Sequence, residues 1–529
     1  MRVFAGRRWT QLVLLVIPIA FVLVALGLAR QRGPLWLGQN SDPSYQYLFS
    51  SLLLLNGQTP CHVDHPGTPL QVLGAAVLQQ VLPGQDTLAE SAAALRDPER
   101  ALAAIHRVLV GITALSFTLA GFLVAARTGR VSSGVVVQAI PLLQIEPWRA
   151  TLFIAPEALL LPLTLLVVAL TLVRDLPTEA PPSARPTLLS IVLGFVAGAA
   201  LVTKVNFLPL CLLPLLTTRS RRQSLWTGGA MAVSVILFLL PIATQVPRML
   251  RWLFAVSTHT GFYGSGDAGM IDAATYLPQL TRLIVADPVL LVVIVLSGAV
   301  GLRLVRSNQV PPGTRVLARL LLITTVVEIL AVLMVAKHPR PHYLLPAMVA
   351  AALNIGLMLE LMPRTGPTGR QASTRLAWAA AMLVTGLFAA WRLTDFAHEL
   401  GAARDRQLAS AAGVPSRGDA LRVEYYRCSS PTFALYFGNG SAWGMFGPML
   451  SELYPGRVFF NRFTGTYDLF SGPTRRDALP PRARILLVGD GAIEQLPGRV
   501  TPPQPAGAHL RVVQRTADQV VHEIVGSDP

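Results

Sequence analysis

Charged residues, cysteines and lysines are all scarce in this chain. Asp, Glu, Lys and Arg make up only 14% of the 529 residues, whereas about a quarter is usual in a soluble domain. The three cysteines, Cys61, Cys211 and Cys428, are too few for a disulfide framework, and no CxxC spacing indicates zinc or an iron–sulfur cluster. The sequence also lacks a P-loop and a Rossmann glycine pattern in a strand–helix context. Whether Cys61 and Cys428 pair with each other stays open at this point.

Long hydrophobic runs take the place of charge. Hydrophobic residues account for 52% of the chain, and the mean hydropathy is +0.51. The first run, from Thr10 to Ala29, is about as long as one bilayer crossing. A signal peptide would end in small residues at a cleavage site, but Arg30-Gln31-Arg32 follows this run. We therefore expect a retained first span.

The apolar runs predict a polytopic α-helical membrane protein with about eleven transmembrane helices. Linkers rich in arginine alternate with linkers that hold most of the acids and histidines. The positive-inside rule assigns the arginine-rich linkers and the N-terminus to the cytoplasm, in a multi-pass protein of the cell (inner) membrane. The predicted spans cover residues 11–29, 101–126, 131–145, 157–173, 187–203, 206–217, 224–243, 287–305, 316–336, 343–362 and 375–392.

Two regions depart from simple crossings. The first outer loop, residues 30–100, contains two apolar stretches, Tyr45 to Leu55 and Leu70 to Leu82, that are too short to span a bilayer. We predict that they are amphipathic helices in the outer interface. Residues 187–217 form a run of about 31 residues, although one crossing needs only about 20. Because Lys204 lies near the middle of this run, we predict a helical hairpin with a polar tip at the outer surface.

Residues 394–529 lose the long apolar runs and predict a small extracytoplasmic α/β domain after a transmembrane module of residues 1–393. Ser430-Pro431 has the pattern of a helix N-terminus with proline at the first helical position. Short strands are predicted at residues 422–426, 457–460 and 485–488, and a hairpin at 510–513 and 520–524.

The net charge of +16 does not indicate nucleic acid as a partner. The arginines cluster in short linkers between apolar runs, which is typical of cytoplasmic loops. We therefore expect membrane lipids as the surroundings of this chain and no nucleic-acid partner.

The first outer loop carries Asp42, Asp64 and His65 between apolar runs. Ionisable groups at a membrane face are costly to dehydrate, which makes them functional candidates. As a general base, Asp42 would take the proton of an acceptor hydroxyl; the alternative is a helix N-cap before Pro43. Asp64 and His65 are candidates for substrate binding or, with His62, for a metal ion. A proline-stiffened turn with a solvated acid is the alternative for them.

Lysine occurs only twice among the 44 Lys and Arg residues, at Lys204 and Lys337. Both fall at predicted outer ends of spans, beside the acids. A buried ammonium is a compact phosphate ligand, while an arginine-biased composition with two chance lysines is the alternative.

Two further candidates flank the short outer loop at residues 146–157. Glu157 begins a span, where the helix dipole favours a carboxylate, so either a structural or a functional role explains it. Arg149 is suited to bind a phosphate with two hydrogen bonds; alternatively its charged head reaches the membrane surface from an apolar stem.

A turn between two spans concentrates basic and titratable groups on the predicted outer side. It contains Lys337, His338, Arg340, His342 and Tyr343, with prolines that stop the helix. Such a turn is suited to hold a phosphate or pyrophosphate leaving group by charge-assisted hydrogen bonds. A solvated cationic loop is the alternative, although the positive-inside rule makes it uncommon on this face.

The order of these groups resembles the GT-C superfamily of polytopic glycosyltransferases. The closest likeness is to the branch of protein O-mannosyltransferases and aminoarabinose lipid A transferases. Asp42 stands where those proteins begin an acidic motif after the first span, with Pro43 in place of its second acid. The segment HPGTPL at 65–70 resembles their Lys/His-Pro-Pro-Leu motif with two residues inserted.

Later segments extend the resemblance to about residue 393. PEAL at 156–159 resembles a Pro-Glu/Asp segment that opens a span, and GAALVTK at 198–204 resembles a Gly-Leu-Ala-x-x-Thr-Lys stretch. RPHYLLP at 340–346 resembles an Arg-Tyr-Leu-Leu-Pro segment with Pro341 and His342 inserted.

This resemblance implies inverting transfer of a hexose or pentose from a polyprenyl-phosphate donor to a lipid, glycan or protein acceptor outside the cytoplasm. Asp42 would be the base, and Lys204, Lys337 and Arg340 would hold phosphate in one cavity at the outer leaflet. No cofactor is certain; a divalent metal is possible, and the missing second acid leaves metal dependence open. The alternatives are a flippase for a lipid-linked sugar and a non-catalytic envelope assembly protein.

Overall fold

The structure is a computed structural model that describes residues 8–64, 66–82, 84, 86–176, 186–361, 368–413, 420–461, 464–474, 484–490, 509–516 and 518–525. The chain forms two compact units. The first unit comprises Met1–Leu26, Val63–Leu70 and Arg107–Asp395, and the second comprises Gly27–His62, Gln71–His106 and Phe396–Pro529.

Helices dominate the described residues. They are α1 (Arg8–Arg32), α2 (Ser41–Leu55), α3 (Thr68–Val81), α4 (Thr87–Arg96), α5 (Pro98–Thr128), α6 (Val131–Ala139), α7 (Ile145–Ala150), α8 (Pro156–Asp175), α9 (Pro186–Thr203), α10 (Leu208–Leu216), α11 (Arg221–Leu239), α12 (Val246–Thr258), α13 (Ala273–Ala286), α14 (Pro288–Arg306), α15 (Pro312–Ala336), α16 (Leu345–Leu361), α17 (Thr368–Ala412), α18 (Pro431–Ser441) and α19 (Gly447–Leu453).

Seven helical segments in the described part of the chain are long and apolar enough to cross a membrane. They are Gln11–Arg32, Pro98–Thr128, Pro156–Asp175, Arg221–Thr258, Pro288–Arg306, Pro312–Ala336 and Pro341–Leu361. The predicted count of about eleven is therefore not confirmed. Three of the predicted spans form shorter apolar helices, Val131–Leu143, Thr187–Thr203 and Val205–Leu216, and the last one lies within α17.

Burial within the first unit differs sharply between helices. Almost every side chain of α8 and α16 is buried, which places these two helices at the centre of the unit. In contrast, α11 buries only Thr227, Met231 and Ser234 and leaves large apolar side chains such as Leu225 exposed. In a membrane protein such apolar outer faces fit contact with lipid tails.

The predicted helical hairpin around Lys204 is confirmed, but its polar tip is buried within the protein, with Lys204 only 5% exposed. The chain breaks at Lys204, which is extended, and turns through a 3-10 segment, Val205–Phe207, into α10. Cys211 and Ala197, each seven residues from Lys204, meet across the two helices with the Sγ atom 4.0 Å from the carbonyl oxygen. The break, rather than a lack of apolar residues, is what keeps both helices short.

Helices α9 and α11 approach each other closely at two glycines. A Cβ at Gly194 would clash with the backbone of Thr227, and one at Gly198 would clash with that of Met231. Small residues spaced four apart let helix backbones pack closely in membranes. This contact fixes the position of α9, which ends at Lys204.

The stretch Tyr45 to Leu55 is helical but is not the amphipathic interfacial helix that the sequence predicted. Every side chain of α2 except that of Asp42 is at least partly buried. Gly438 of α18 lies against Phe49 and the carbonyl oxygen of Tyr45, so protein covers this part of α2. Helix α3, by contrast, exposes one face that includes Val72, Gln79 and Gln80.

The second unit contains a seven-stranded sheet in the order β4-β3-β2-β1-β5-β7-β6. The central strand β1 pairs in parallel with β2 and β5, and the other pairs are antiparallel. The strands are β1 (Ala420–Tyr425), β2 (Val458–Asn461), β3 (Thr466–Leu469), β4 (Gly472–Thr474), β5 (Arg484–Gly489), β6 (His509–Arg515) and β7 (Val520–Val525).

The predicted strands, the β6–β7 hairpin and the helix start at Ser430 are confirmed. Ser430 caps α18 by accepting a hydrogen bond from the N–H of Phe433. Cys61, Cys211 and Cys428 are buried thiols, so no disulfide joins Cys61 to Cys428. The predicted domain boundary at 393/394 falls inside the continuous helix α17.

We expect Gly194→Ala to destabilise the first unit by about 1–3 kcal/mol, because the added methyl group overpacks the contact with α11. Gly229→Ala is the matched control, since a Cβ there meets nothing within 4 Å. Thermal unfolding of the full chain in detergent measures both. Equal midpoints for the two variants would contradict the close contact between α9 and α11.

Candidate functional site

Glu157 lies at the start of α8. Ala155 is extended at the N-cap position, Pro156 occupies the first helical position, and Glu157 follows in the first turn. Its side chain is only 8% exposed. A carboxylate is favoured here by the helix dipole, but it still needs a partner to be kept away from water.

Lys204 supplies that partner. Its ammonium group forms an ion pair with Oε1 of Glu157, and its side chain is 6% exposed. Helix α9 ends at Thr203 and the backbone at Lys204 is extended, so the Lys204 side chain projects from the end of the helix. Two of the residues that the sequence singled out separately are therefore in direct contact.

His342 and Tyr343 complete this cluster from the start of the span that follows α15. The Nε2 atom of His342 is 3.8 Å from Oε1 of Glu157. The ammonium group of Lys204 stands 4.4 Å from the centre of the Tyr343 ring, a cation–π distance. We call Glu157, Lys204, His342 and Tyr343 the outer-end cluster, after the outer side on which the sequence predicts these helix ends.

The turn at 337–343 does not act as one group of cations. Lys337 donates a hydrogen bond from Nζ to the carbonyl oxygen of Ser257, at 2.6 Å, and His338 interacts with the backbone of Val256. Partial burial lowers the pKa of Lys337, and burial together with the charge of Lys337 lowers that of His338. These two residues thus face α12, and their phosphate role stays a prediction.

Two arginines contribute charge near the cluster. The charges of Arg149 and Arg340 both act on His342. Arg340 is exposed, whereas Arg149 donates a hydrogen bond to Glu146 with 2.7 Å between Nη1 and Oε1. The cluster is therefore bordered by cations that a negatively charged ligand can approach.

The segment from Val63 to Leu70 belongs to the same unit. The N–H of Gly67 donates a hydrogen bond to the carbonyl oxygen of Val202, at 3.0 Å, two residues before Lys204. Asp64 is half-buried, and its role stays a prediction. His65 lies outside the described residues, so its predicted role stays untested as well.

Asp42 belongs to the second unit and is the one exposed residue of α2. Its backbone is extended inside the first turn, and its peptide bond to Pro43 is cis. The N-cap alternative stays open, because Asp42 has the extended backbone of an N-cap residue directly before Pro43, whereas Asn40 makes no side-chain cap hydrogen bond. The surrounding protein atoms raise the pKa of the Asp42 carboxyl above its usual value, and the positive charge of Arg427 partly offsets this effect.

Two residues near the cluster were not predicted as site residues. Asn206 donates a hydrogen bond from Nδ2 to the carbonyl oxygen of Tyr343, at 2.7 Å, and thereby holds the tyrosine in place. Tyr263 has a left-handed backbone, with φ of 54°, and its side chain hydrogen bonds to that of Tyr343. The polar tip around Lys204 was a signal for Asn206, and the glycine-rich stretch GFYGSG was one for Tyr263.

A metal site does not emerge from the described part of the chain. Within it, no three His, Cys, Asp or Glu side chains are grouped closely enough to hold a metal ion. The divalent metal that the resemblance left possible stays a hypothesis, and His65 is outside the residues on which this observation rests.

We expect Lys204→Met to cost about 3–5 kcal/mol of stability, because it leaves the buried carboxylate of Glu157 without its partner. Adding Glu157→Gln to Lys204→Met removes that carboxylate charge and recovers most of the loss. The matched control is Arg130→Met with Glu360→Gln, an ion pair with Arg130 48% exposed, which costs at most about 1 kcal/mol. Denaturation of the full chain in detergent measures all variants. A double variant as unstable as Lys204→Met would contradict the coupling.

Comparison with known proteins identifies similar folds. No protein-family model and no curated protein matches the chain. It is similar to ArnT from Cupriavidus metallidurans bound to undecaprenyl phosphate, with 13% identity, a TM-score of 0.46 and 98% of each chain covered. The apo state of that protein matches with 14% identity, a TM-score of 0.44 and coverage of 96% of this chain and 97% of that one.

A second similar protein is the Archaeoglobus fulgidus oligosaccharyltransferase tethered to an acceptor peptide. It matches with 12% identity and a TM-score of 0.42, over 78% of this chain and 58% of that one.

Proposed function

We propose that this chain is an integral membrane glycosyltransferase. It transfers a sugar, with inversion, from a polyprenyl-phosphate donor to a lipid, glycan or protein acceptor outside the cytoplasm. The observation that carries this proposal is the outer-end cluster, in which a buried ammonium group is held between a carboxylate and a tyrosine ring. An ionisable pair at the end of membrane spans is expensive to keep and indicates a functional site.

The charges around the cluster favour a phosphate ligand. Lys204, Arg149 and Arg340 bring three positive charges, against two negative charges on Glu157 and Glu146. A lipid phosphate that enters this region neutralises the surplus positive charge through charge-assisted hydrogen bonds. The exposed guanidinium of Arg340 is suited to make first contact, and Lys204 to hold the phosphate in place.

The proposed reaction uses these cations as phosphate ligands and Asp42 as the base that the sequence predicts. The acceptor hydroxyl loses its proton to the carboxylate of Asp42 while its oxygen bonds to the anomeric carbon of the sugar. On the opposite face of the sugar, the bond from that carbon to the phosphate oxygen breaks, and its electron pair stays on the polyprenyl phosphate. Lys204 and the arginines stabilise the negative charge that develops on the leaving group.

We expect two changes to slow transfer strongly for different reasons. Asp42→Asn removes the base and should lower the rate about 10²–10⁴-fold with donor binding retained. Lys204→Met combined with Glu157→Gln removes the phosphate ligand without leaving an unpaired charge, and should lower the rate about 10²–10³-fold. The assay supplies the full chain in nanodiscs with radiolabelled polyprenyl-phosphate sugars and a membrane acceptor extract. It measures labelled product and released polyprenyl phosphate.

The control for this assay is Arg130→Met with Glu360→Gln, which removes an ion pair remote from the cluster in sequence and should keep the wild-type rate. Transfer that survives in Asp42→Asn would remove that residue from the proposed mechanism. A wild-type protein that moves donors across the bilayer of sealed proteoliposomes, but transfers sugar from none, would establish the flippase alternative.

The pH dependence of transfer should report on Asp42. A general base works when deprotonated, so the rate rises with pH through the pKa of Asp42. Since Arg427 lowers that pKa, Arg427→Met should move the acid limb of the pH–rate profile to higher pH, whereas Arg427→Lys should leave it near the wild-type position. An acid limb that stays in place in Arg427→Met would show that another group controls it.

A further inference from the structure

A cavity of about 230 Å³ lies in the first unit beside the outer-end cluster. It opens where α7, α14 and α16 begin and where α13 and the apolar part of α17 end. Its polar lining includes Glu146, Arg149, Asp287 and Arg392, and its apolar lining includes Leu344 and Phe388. By the positive-inside rule, all of these helix ends belong to the outer side of the membrane.

Two buried carboxylates in this lining have unused hydrogen-bonding capacity. Glu146 is 5% exposed; its Oε1 accepts from Arg149, and its Oε2 has no partner among the described residues. Asp287 is 8% exposed; its Oδ1 caps α14 by accepting from the N–H of Leu290, at 3.0 Å, and its Oδ2 likewise lacks a partner there. Buried acceptors left without donors are costly, so such oxygens favour a ligand that brings hydrogen-bond donors.

The charges of the lining balance each other. Glu146 and Asp287 bring two negative charges, and Arg149 and Arg392 bring two positive ones. A phosphate in the cavity would face two carboxylates, and an ammonium group would face two guanidinium groups. A neutral hydroxyl group fits both kinds of side chain, since it donates a hydrogen bond to a carboxylate and accepts one from an arginine.

The desolvation of these carboxylates strengthens this preference. Burial raises the pKa of both Glu146 and Asp287 above the usual values; the charge of Arg149 offsets part of this effect at Glu146, and backbone hydrogen bonds offset part of it at Asp287. Such carboxylates gain more from a hydrogen bond than solvated ones do, because the cavity offers them little water. Phe388 and Leu344 meanwhile provide apolar walls of the kind that contact the carbon face of a ring.

We infer that this cavity binds a neutral, polyhydroxylated sugar ring through Glu146, Asp287 and Arg149. The charge of Glu157 acts on Glu146, which puts the cavity next to the proposed phosphate ligands. The role of the cavity as the sugar subsite of a transferase rests on the proposed function, whereas the binding of a sugar ring does not.

The test uses the full chain in nanodiscs and saturation-transfer NMR. The probes are D-glucose, D-mannose and D-galactose as neutral sugars, D-glucosamine as a cation and D-glucuronate as an anion. We expect at least one neutral sugar to bind in the millimolar range. Asp287→Asn should weaken that binding at least about tenfold, because an amide donor replaces the free acceptor oxygen. Asn is as good an N-cap as Asp, so α14 should still begin correctly.

Asp272→Asn is the matched control, because Asp272 caps α13 in the same way but does not line the cavity, and it should leave sugar binding unchanged. Ala286→Trp gives an independent check, since the bulky side chain would fill the cavity from an exposed position and abolish binding. Absence of neutral-sugar binding, binding of the charged sugars alone, or binding that persists in both Asp287→Asn and Ala286→Trp would overturn the inference.

This outcome is separable from that of the proposed function. Lys204→Met with Glu157→Gln should stop transfer while neutral-sugar binding persists. Sugar binding without transfer from any donor would count against the transferase and leave the cavity assignment standing. If the protein transfers sugar but Asp287→Asn leaves sugar binding unchanged, the transferase proposal stands and the cavity assignment fails.

Discussion

The contact between Glu157 and Lys204 is the constraint on which the rest of the site depends. Neither charge is tolerable alone at such low exposure, so the start of α8 and the break after α9 must stay together. The close packing of α9 on α11 through Gly194 and Gly198 fixes one partner, and Pro156 fixes the start of the helix that carries the other. Backbone geometry thereby sets the position of two charges.

In the proposed function, the same contact would keep the phosphate site stable before its ligand arrives. Lys204 is neutralised by Glu157 and covered by the ring of Tyr343, and Asn206 holds the backbone of that tyrosine. A phosphate competes with the carboxylate for the ammonium group. The arginines at the border make this exchange favourable, because they add positive charge without needing to be buried.

Much of this arrangement could be predicted from the sequence, because its signals are local. The polar tip at Lys204, the proline before Glu157 and the serine cap at Ser430 each act through neighbouring residues. The burial of α2 could not be predicted, since it depends on Gly438, nearly four hundred residues away. Likewise, nothing near Lys337 indicates that its ammonium group would find the carbonyl oxygen of Ser257.

The left-handed backbone of Tyr263 has a consequence for any attempt to stabilise the protein. A tyrosine in this conformation costs on the order of 1 kcal/mol, which a glycine would avoid. Replacement by glycine would therefore relieve local strain and at the same time delete the phenol that meets Tyr343. A thermostability screen would favour that change. The selected variants would keep their fold but lose a contact that supports Tyr343, the residue that covers Lys204.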